Sequence, residues 1–178
     1  NPVNDVTANF PVSVQASGVV AVTVGAGNET ALIPVNMYYK NSLFETVFPA
    51  TDLNIGGLIT GVQFYNNFTT DLPNKPTKIW LGETTNADLS ADWIPSSQLT
   101  SVFDGNVSYP TGQNNINITL TTPYVYTGGN LVMMVYRPMD TEYFASTDYF
   151  MTQTVGTTRA RAVYSDTVPF DPAAPPAA

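Results

Sequence analysis

The sequence predicts an all-β domain, a jelly-roll-like antiparallel β-sandwich with long decorated loops. Three observations carry that prediction. Apolar residues recur at alternate positions in one segment after another, and no long helical period is sustained. Turn residues punctuate the chain at short intervals, with 14 prolines and 12 glycines in 178 residues. Hydrophobic residues make up 43% of the chain, enough for a packed core at a length that suits one domain.

The elements follow in order. Val12 and Val14 alternate with Ser13 and Gln15, and Val20, Val22 and Val24 alternate with Ala21 and Thr23. Two such segments form a candidate hairpin around Gly18. "PVNMYY" (Pro34–Tyr39) is the next candidate strand. In "LFETVFPATDLNIGG" the spacing of Phe44, Val47 and Phe48 suggests one short helical turn, limited by Pro49 and the Gly56-Gly57 pair. "LITGVQFYNNF" resumes β structure with Val62 and Phe64 inward. "TKIWLGE" places Ile79 and Leu81 on one face and Trp80 on the other. "NINITLT" is the clearest half-buried strand, with Ile116, Ile118 and Leu120 inward and Asn117, Thr119 and Thr121 outward. "NLVMMVYR" (Asn130–Arg137) is apolar on both faces, as a central strand covered on each side should be. "TRARAVYS" alternates Ala160, Ala162 and Tyr164 against Arg159, Arg161 and Val163. Some nine to eleven short strands result, the pattern of a sandwich or jelly roll.

Composition excludes several chemistries. Charged residues are only 11%, and polarity comes instead from Asn, Thr, Ser and Gln. The formal net charge is −8, with six basic residues. Such a surface repels phosphate backbones and anionic membranes and attracts divalent cations. Cys is absent, so there is no disulfide framework and no thiolate nucleophile. His is absent too, which rules out a Ser-His-Asp triad and an imidazole base or metal ligand. No apolar run approaches the ~20 residues of a membrane helix, so membrane insertion is not expected.

Several motifs resemble a known family. They are "KIWLGETT", the Trp93-Ile94-Pro95 step, "SQLTSVFDG", the "INITL" strand, "PYVYTGGNLVMMV" and the late "DP…PP" exit. In this order, spanning about Leu32 to Pro176, they resemble the cleaved-adhesin and related choice-of-anchor jelly-roll modules. Those modules occur in large secreted surface proteins of Bacteroidetes-type bacteria, including haemagglutinin and gingipain adhesin regions. The resemblance implies a non-catalytic sandwich that is one of several modules, exposed at the cell surface or in secreted material. It also implies adhesive or glycan-binding roles and often bound calcium.

Three constellations are candidates for function. Glu83, Asp88, Asp92 and Asp104 lie near Trp80 and Trp93. An exposed Trp there would stack on a sugar; the plainer reading is that Trp93 and Ile94 plug the loop onto the sandwich. Paired acids such as Glu83 and Asp104 would suit a glycoside hydrolase, but no catalytic motif accompanies them. Asp104, Asp140, Glu142 and Asp148 are the candidate calcium ligands, offering carboxylate oxygens from loops. "EYFASTDYF" (Glu142–Phe150) is dense in aromatics, and Tyr143 and Tyr149 within it are further candidate ligand or glycan contacts. Sequons occur at Asn28, Asn67, Asn106 and Asn117.

The chain therefore divides into an N-terminal strand or hairpin extension (1–24), a jelly-roll sandwich (25–170) and a Pro/Ala-rich linker or tail (171–178). The expected function is that of a non-catalytic extracellular adhesive or structural module. It would act by protein–protein or surface contact with neighbouring modules or subunits of the same protein. Val12, Val14, Val20 and Val22 are candidates for head-to-tail assembly by strand addition. The alternative is a carbohydrate-binding module using exposed Trp or Tyr. No nucleic-acid partner is expected.

Overall fold

The computed structural model describes residues 18–25, 27 and 29–177. Nine strands build two antiparallel sheets: β1 (Glu29–Ala31), β2 (Asn41–Phe48), β3 (Gly57–Phe68), β4 (Leu72–Thr84), β5 (Thr100–Tyr109), β6 (Gly112–Tyr126), β7 (Asn130–Arg137), β8 (Tyr149–Thr152) and β9 (Ala160–Ser165). One short helix, α1 (Ala50–Leu53), follows β2. The first sheet has the order β1-β8-β3-β6 and the second β5-β4-β7-β2-β9. Strands β1 to β8 thus wind between the sheets as a jelly roll, and β9 adds a fifth strand beside β2.

Alternation fills the space between the sheets. Phe64 and Phe68 of β3 and Ile116, Ile118 and Leu120 of β6 meet Ile79 and Leu81 of β4 and Leu131, Met133 and Val135 of β7. The opposite faces of these strands behave differently in the two sheets. In the first sheet, Asn117 and Thr119 of β6 are exposed. In the second sheet the outer face is itself buried: Val132, Met134 and Tyr136 of β7 lie beneath a second apolar layer. Strand β7 is central and covered on each side, as its composition predicted.

That second layer is the segment between β4 and β5, folded back over the sheet. Leu89 and Ile94 pack on Val47 and Val132, and Trp93 packs on Leu43, Met134 and Tyr136. Gly82 leaves room for this layer, since a β-carbon there would stand 2.5 Å from Cδ2 of Leu99. Polar groups fasten it from below. The Ile94 N–H donates to Glu45 Oε2 at 3.0 Å, Leu89 N–H donates to the Thr158 carbonyl at 2.8 Å, and the Arg161 guanidinium donates to the carbonyls of Leu89 and Ser90.

Two expected elements change. The helical turn predicted over Phe44–Phe48 is strand β2, paired to β7 from Ser42↔Arg137 to Phe48↔Leu131. Apolar residues at 43, 44, 47 and 48 imitate a helical period because both faces of this inner strand are buried. "PVNMYY" is not a strand. Val35 and Met37 do reach the core, but side chains take the backbone bonds: Tyr38 N–H donates to Asn36 Oδ1 and Asn36 N–H to Ser42 Oγ.

At the N-terminus, Val20 and Val22 belong to no strand and are exposed, so the predicted strand over Val20–Val24 is not formed. Val12 and Val14 lie outside the described residues. At the other end, the start of the predicted tail is tied down. Ser96 N–H donates to the Pro172 carbonyl at 2.8 Å, and Phe170 packs on the layer that contains Trp93. Asn41 completes the tie by donating to the Ser165 and Val168 carbonyls, each at 2.9 Å, and accepting from Phe170 N–H.

Candidate contact surfaces

The tryptophans are not a display. Trp93 is buried in the plug, as the plainer reading expected. Trp80 points outward from β4, but the same layer half-covers it, so the expected exposed stacking face is lost to packing. The acids nearby are engaged. Glu83 accepts from the backbone N–H groups of Thr127 and Gly129 and from the Thr127 hydroxyl, closing the turn before β7. Burial pushes its carboxyl up, but these hydrogen bonds outweigh burial and hold it below the ordinary glutamate value. Asp104 lies within β5, rather than in a loop, and pairs with Lys78 at 2.9 Å.

The candidate calcium ligands are dispersed. Asp140 bonds the Arg137 guanidinium at 3.0 Å and lies 3.6 Å from Lys75 Nζ. Burial raises its pKa, yet Arg137, the Glu142 N–H and Lys75 bring it below the usual value. Asp148 is fully buried and accepts from the N–H groups of Thr69 and Thr70 and the Thr69 hydroxyl. Glu142 is exposed. Among the described residues no three acidic side chains come together as a metal site.

Tyr143 is different. It stands 62% exposed on the segment between β7 and β8, at the end of a row of four tyrosines. Its ring meets Tyr38 edge-on at 6.4 Å between centroids; Tyr38 meets Tyr39 edge-on at 5.2 Å; Tyr39 lies 4.2 Å from Tyr164. Three elements build the row. Tyr164 comes from β9, Tyr38 and Tyr39 from the turn before β2, and Tyr143 from the segment after β7. The fully buried Arg137 holds the last two together, donating to the Tyr39 and Glu142 carbonyls. Backbone bonds repeat the tie, from Asp140 N–H to Lys40 and from Phe144 N–H to Met37, each at 2.8 Å. Partial burial first, then Tyr164, Tyr38 and Asp166, raise the Tyr39 phenol above its ordinary pKa.

A second surface was not legible beforehand. The outer face of the first sheet is a ladder of amides and hydroxyls. Its rungs are Gln63–Asn117, Tyr65–Asn115 and Tyr149–Asn67–Gln113. Gln63 Nε2 donates to Asn117 Oδ1, and the Tyr65 hydroxyl donates to Gln113 Oε1 at 3.0 Å. Tyr149, a sequence candidate, joins this face half-buried. Along the free side of β6, Asn115, Asn117 and Thr119 also line a shallow groove of about 630 Å³, shared with Phe103, Asn106 and Ser108 of β5.

No protein-family model, no curated protein and no solved structure matches the chain. The likeness to cleaved-adhesin modules is carried by the sequence motifs alone. No helix of the described residues is long and apolar enough to cross a membrane.

Proposed function

We propose that this chain is a non-catalytic extracellular contact module. Its stiff sandwich holds the tyrosine row for docking against a neighbouring module or a second copy of the chain. The observation that carries this reading is the row itself. Four partly or largely exposed rings touch in sequence on three separate elements, two of which are held together by one buried arginine. Tyrosine offers large, rigid, amphipathic contact area at low entropic cost, which is why it dominates binding hot spots. The state of Glu83 and Asp104 also supports a non-catalytic role, since one caps a turn and the other pairs with a lysine. The exposed Val20 and Val22, leading toward the short edge strand β1, favour strand addition as a second means of assembly.

Sedimentation across a range of concentrations tests both parts. Self-association should weaken in Tyr38→Ala/Tyr143→Ala and in a chain lacking residues 1–24, with the thermal midpoint of the double variant unchanged. A wild-type chain that stays monomeric at every concentration, and captures no adjoining module, would remove the proposal.

A further inference from the structure

We infer that the outer face of the β1-β8-β3-β6 sheet, with the groove beside β6, binds a neutral, hydroxyl-rich polymer, a polysaccharide without acidic or basic substituents. This surface is separate from the tyrosine row and stands on different observations.

The first observation is charge. The chain carries −8 overall, yet β1, β8, β3 and β6 together contain one charged residue, Glu29, whose carboxylate is taken up by the Thr154 N–H and hydroxyl. A polyanion gains nothing here and is repelled by the rest of the molecule. A polycation finds its acids elsewhere. An uncharged ligand is the one that matches.

The second observation is hydrogen-bonding capacity. Each amide offers donors and acceptors together, as each sugar hydroxyl does. Gln63, Asn117, Tyr65 and Gln113 are ordered by their cross-strand bonds before any ligand arrives, which lowers the entropy lost on binding. Those bonds leave Asn117 Nδ2, Gln63 Oε1 and Gln113 Nε2 without a partner among the described residues, on side chains that are exposed. Tyr65, 39% exposed, supplies a ring face for the apolar side of a pyranose.

The third observation is shape. Residues on one face of a strand repeat every ~6.6 Å and strands lie ~4.8 Å apart, so the ladder offers polar groups at regular steps. The ladder continues over the edge into the groove through Asn115, Asn117 and Thr119. A linear chain with a short repeat follows such a track. The polar stretch ends at the bulge between Ile59 and Gly61, beyond which Leu58 and Val125 are exposed.

Affinity electrophoresis of the full chain tests this against soluble galactomannan, xyloglucan and mixed-linkage glucan, with alginate and polygalacturonate as acidic counterparts. At least one neutral polymer should retard the protein, equally at low and high salt. Tyr65→Ala and Asn117→Asp should each weaken that binding about tenfold, the loss of one well-made contact, without changing the thermal midpoint. Tyr143→Ala should leave it intact, which separates this site from the docking row. Three results would overturn the inference: no neutral polymer binds, the acidic polymers bind better, or both variants bind as the wild type does.

Discussion

The backbone N–H of Ile94 donates to Oε2 of Glu45 at 3.0 Å, and among the described residues Oε1 of the same carboxyl has no partner. Glu45 sits fully buried on β2 beneath the plug that carries Leu89, Trp93 and Ile94. Arg161 lies opposite it on β9, and Asp92 is close enough to be felt. Burial is the largest influence and pushes the carboxyl up from 4.5 to about 7, against the Ile94 bond and Arg161.

The sign of the pH dependence follows. Between about 4.5 and 7 the folded chain holds the Glu45 proton more often than the unfolded chain does. Stability from this group is complete below the unfolded pKa and is lost as pH rises through 7, amounting to about 3 kcal/mol. Glu45→Gln should remove that slope. Urea midpoints measured from pH 4.5 to 8 check it, and parallel curves for the two proteins would contradict it.

The plug should cost measurable stability when hollowed. Leu89 is fully buried against Val47, Ile94 and Val132. Leu89→Ala is expected to destabilise by about 2–5 kcal/mol. Gly82→Ala should loosen the same layer by displacing Leu99. Denaturant unfolding gives the first number. Hydrogen exchange over residues 85–99 reports the second, and unchanged protection there would refute it.

Arg137 should matter to both stability and contact. It is fully buried, and its donors reach Asp140 and the carbonyls of Tyr39 and Glu142. Arg137→Ala leaves Asp140 without its main partner and should cost about 3–5 kcal/mol. Arg137→Lys should rescue little, because one ammonium cannot reproduce the planar fork. Faster exchange of the 138–148 backbone is expected in both variants. Retained protection there would detach Arg137 from the tyrosine row.

Acid should act on Asp140 in the opposite sense to Glu45. Its lowered carboxyl contributes stability above the ordinary value of 3.8, and that contribution is lost as pH falls through the still lower folded value. Asp140→Asn should therefore lower stability above about pH 4, flatten the curve below it, and leave the slope between 4.5 and 7 as in the wild type. Urea unfolding from pH 2 to 8 separates the two groups. A change confined to the upper window would show that Asp140 had been misassigned.

Local pattern alone determined the all-β class, the inward triplet Ile116, Ile118 and Leu120, the opposed faces of Ile79 and Trp80, and the doubly covered β7. These depend on alternation along one segment, which the backbone geometry of a strand dictates. Trp93 was legible as an anchor for a different local reason, a large apolar ring beside Ile94-Pro95. What folded against what was not legible. β2 imitated a helix because its burial comes from neighbours on both faces. Trp80 looked displayed because the segment that shades it, residues 85–99, returns only in the tertiary structure. The amide ladder joins Gln63 to Asn117 and Tyr65 to Gln113, 54 and 48 residues apart. The tyrosine row gathers Tyr38, Tyr143 and Tyr164 from separate elements. Register and layer order place such side chains together, and both are set by long-range packing that no single stretch of sequence records.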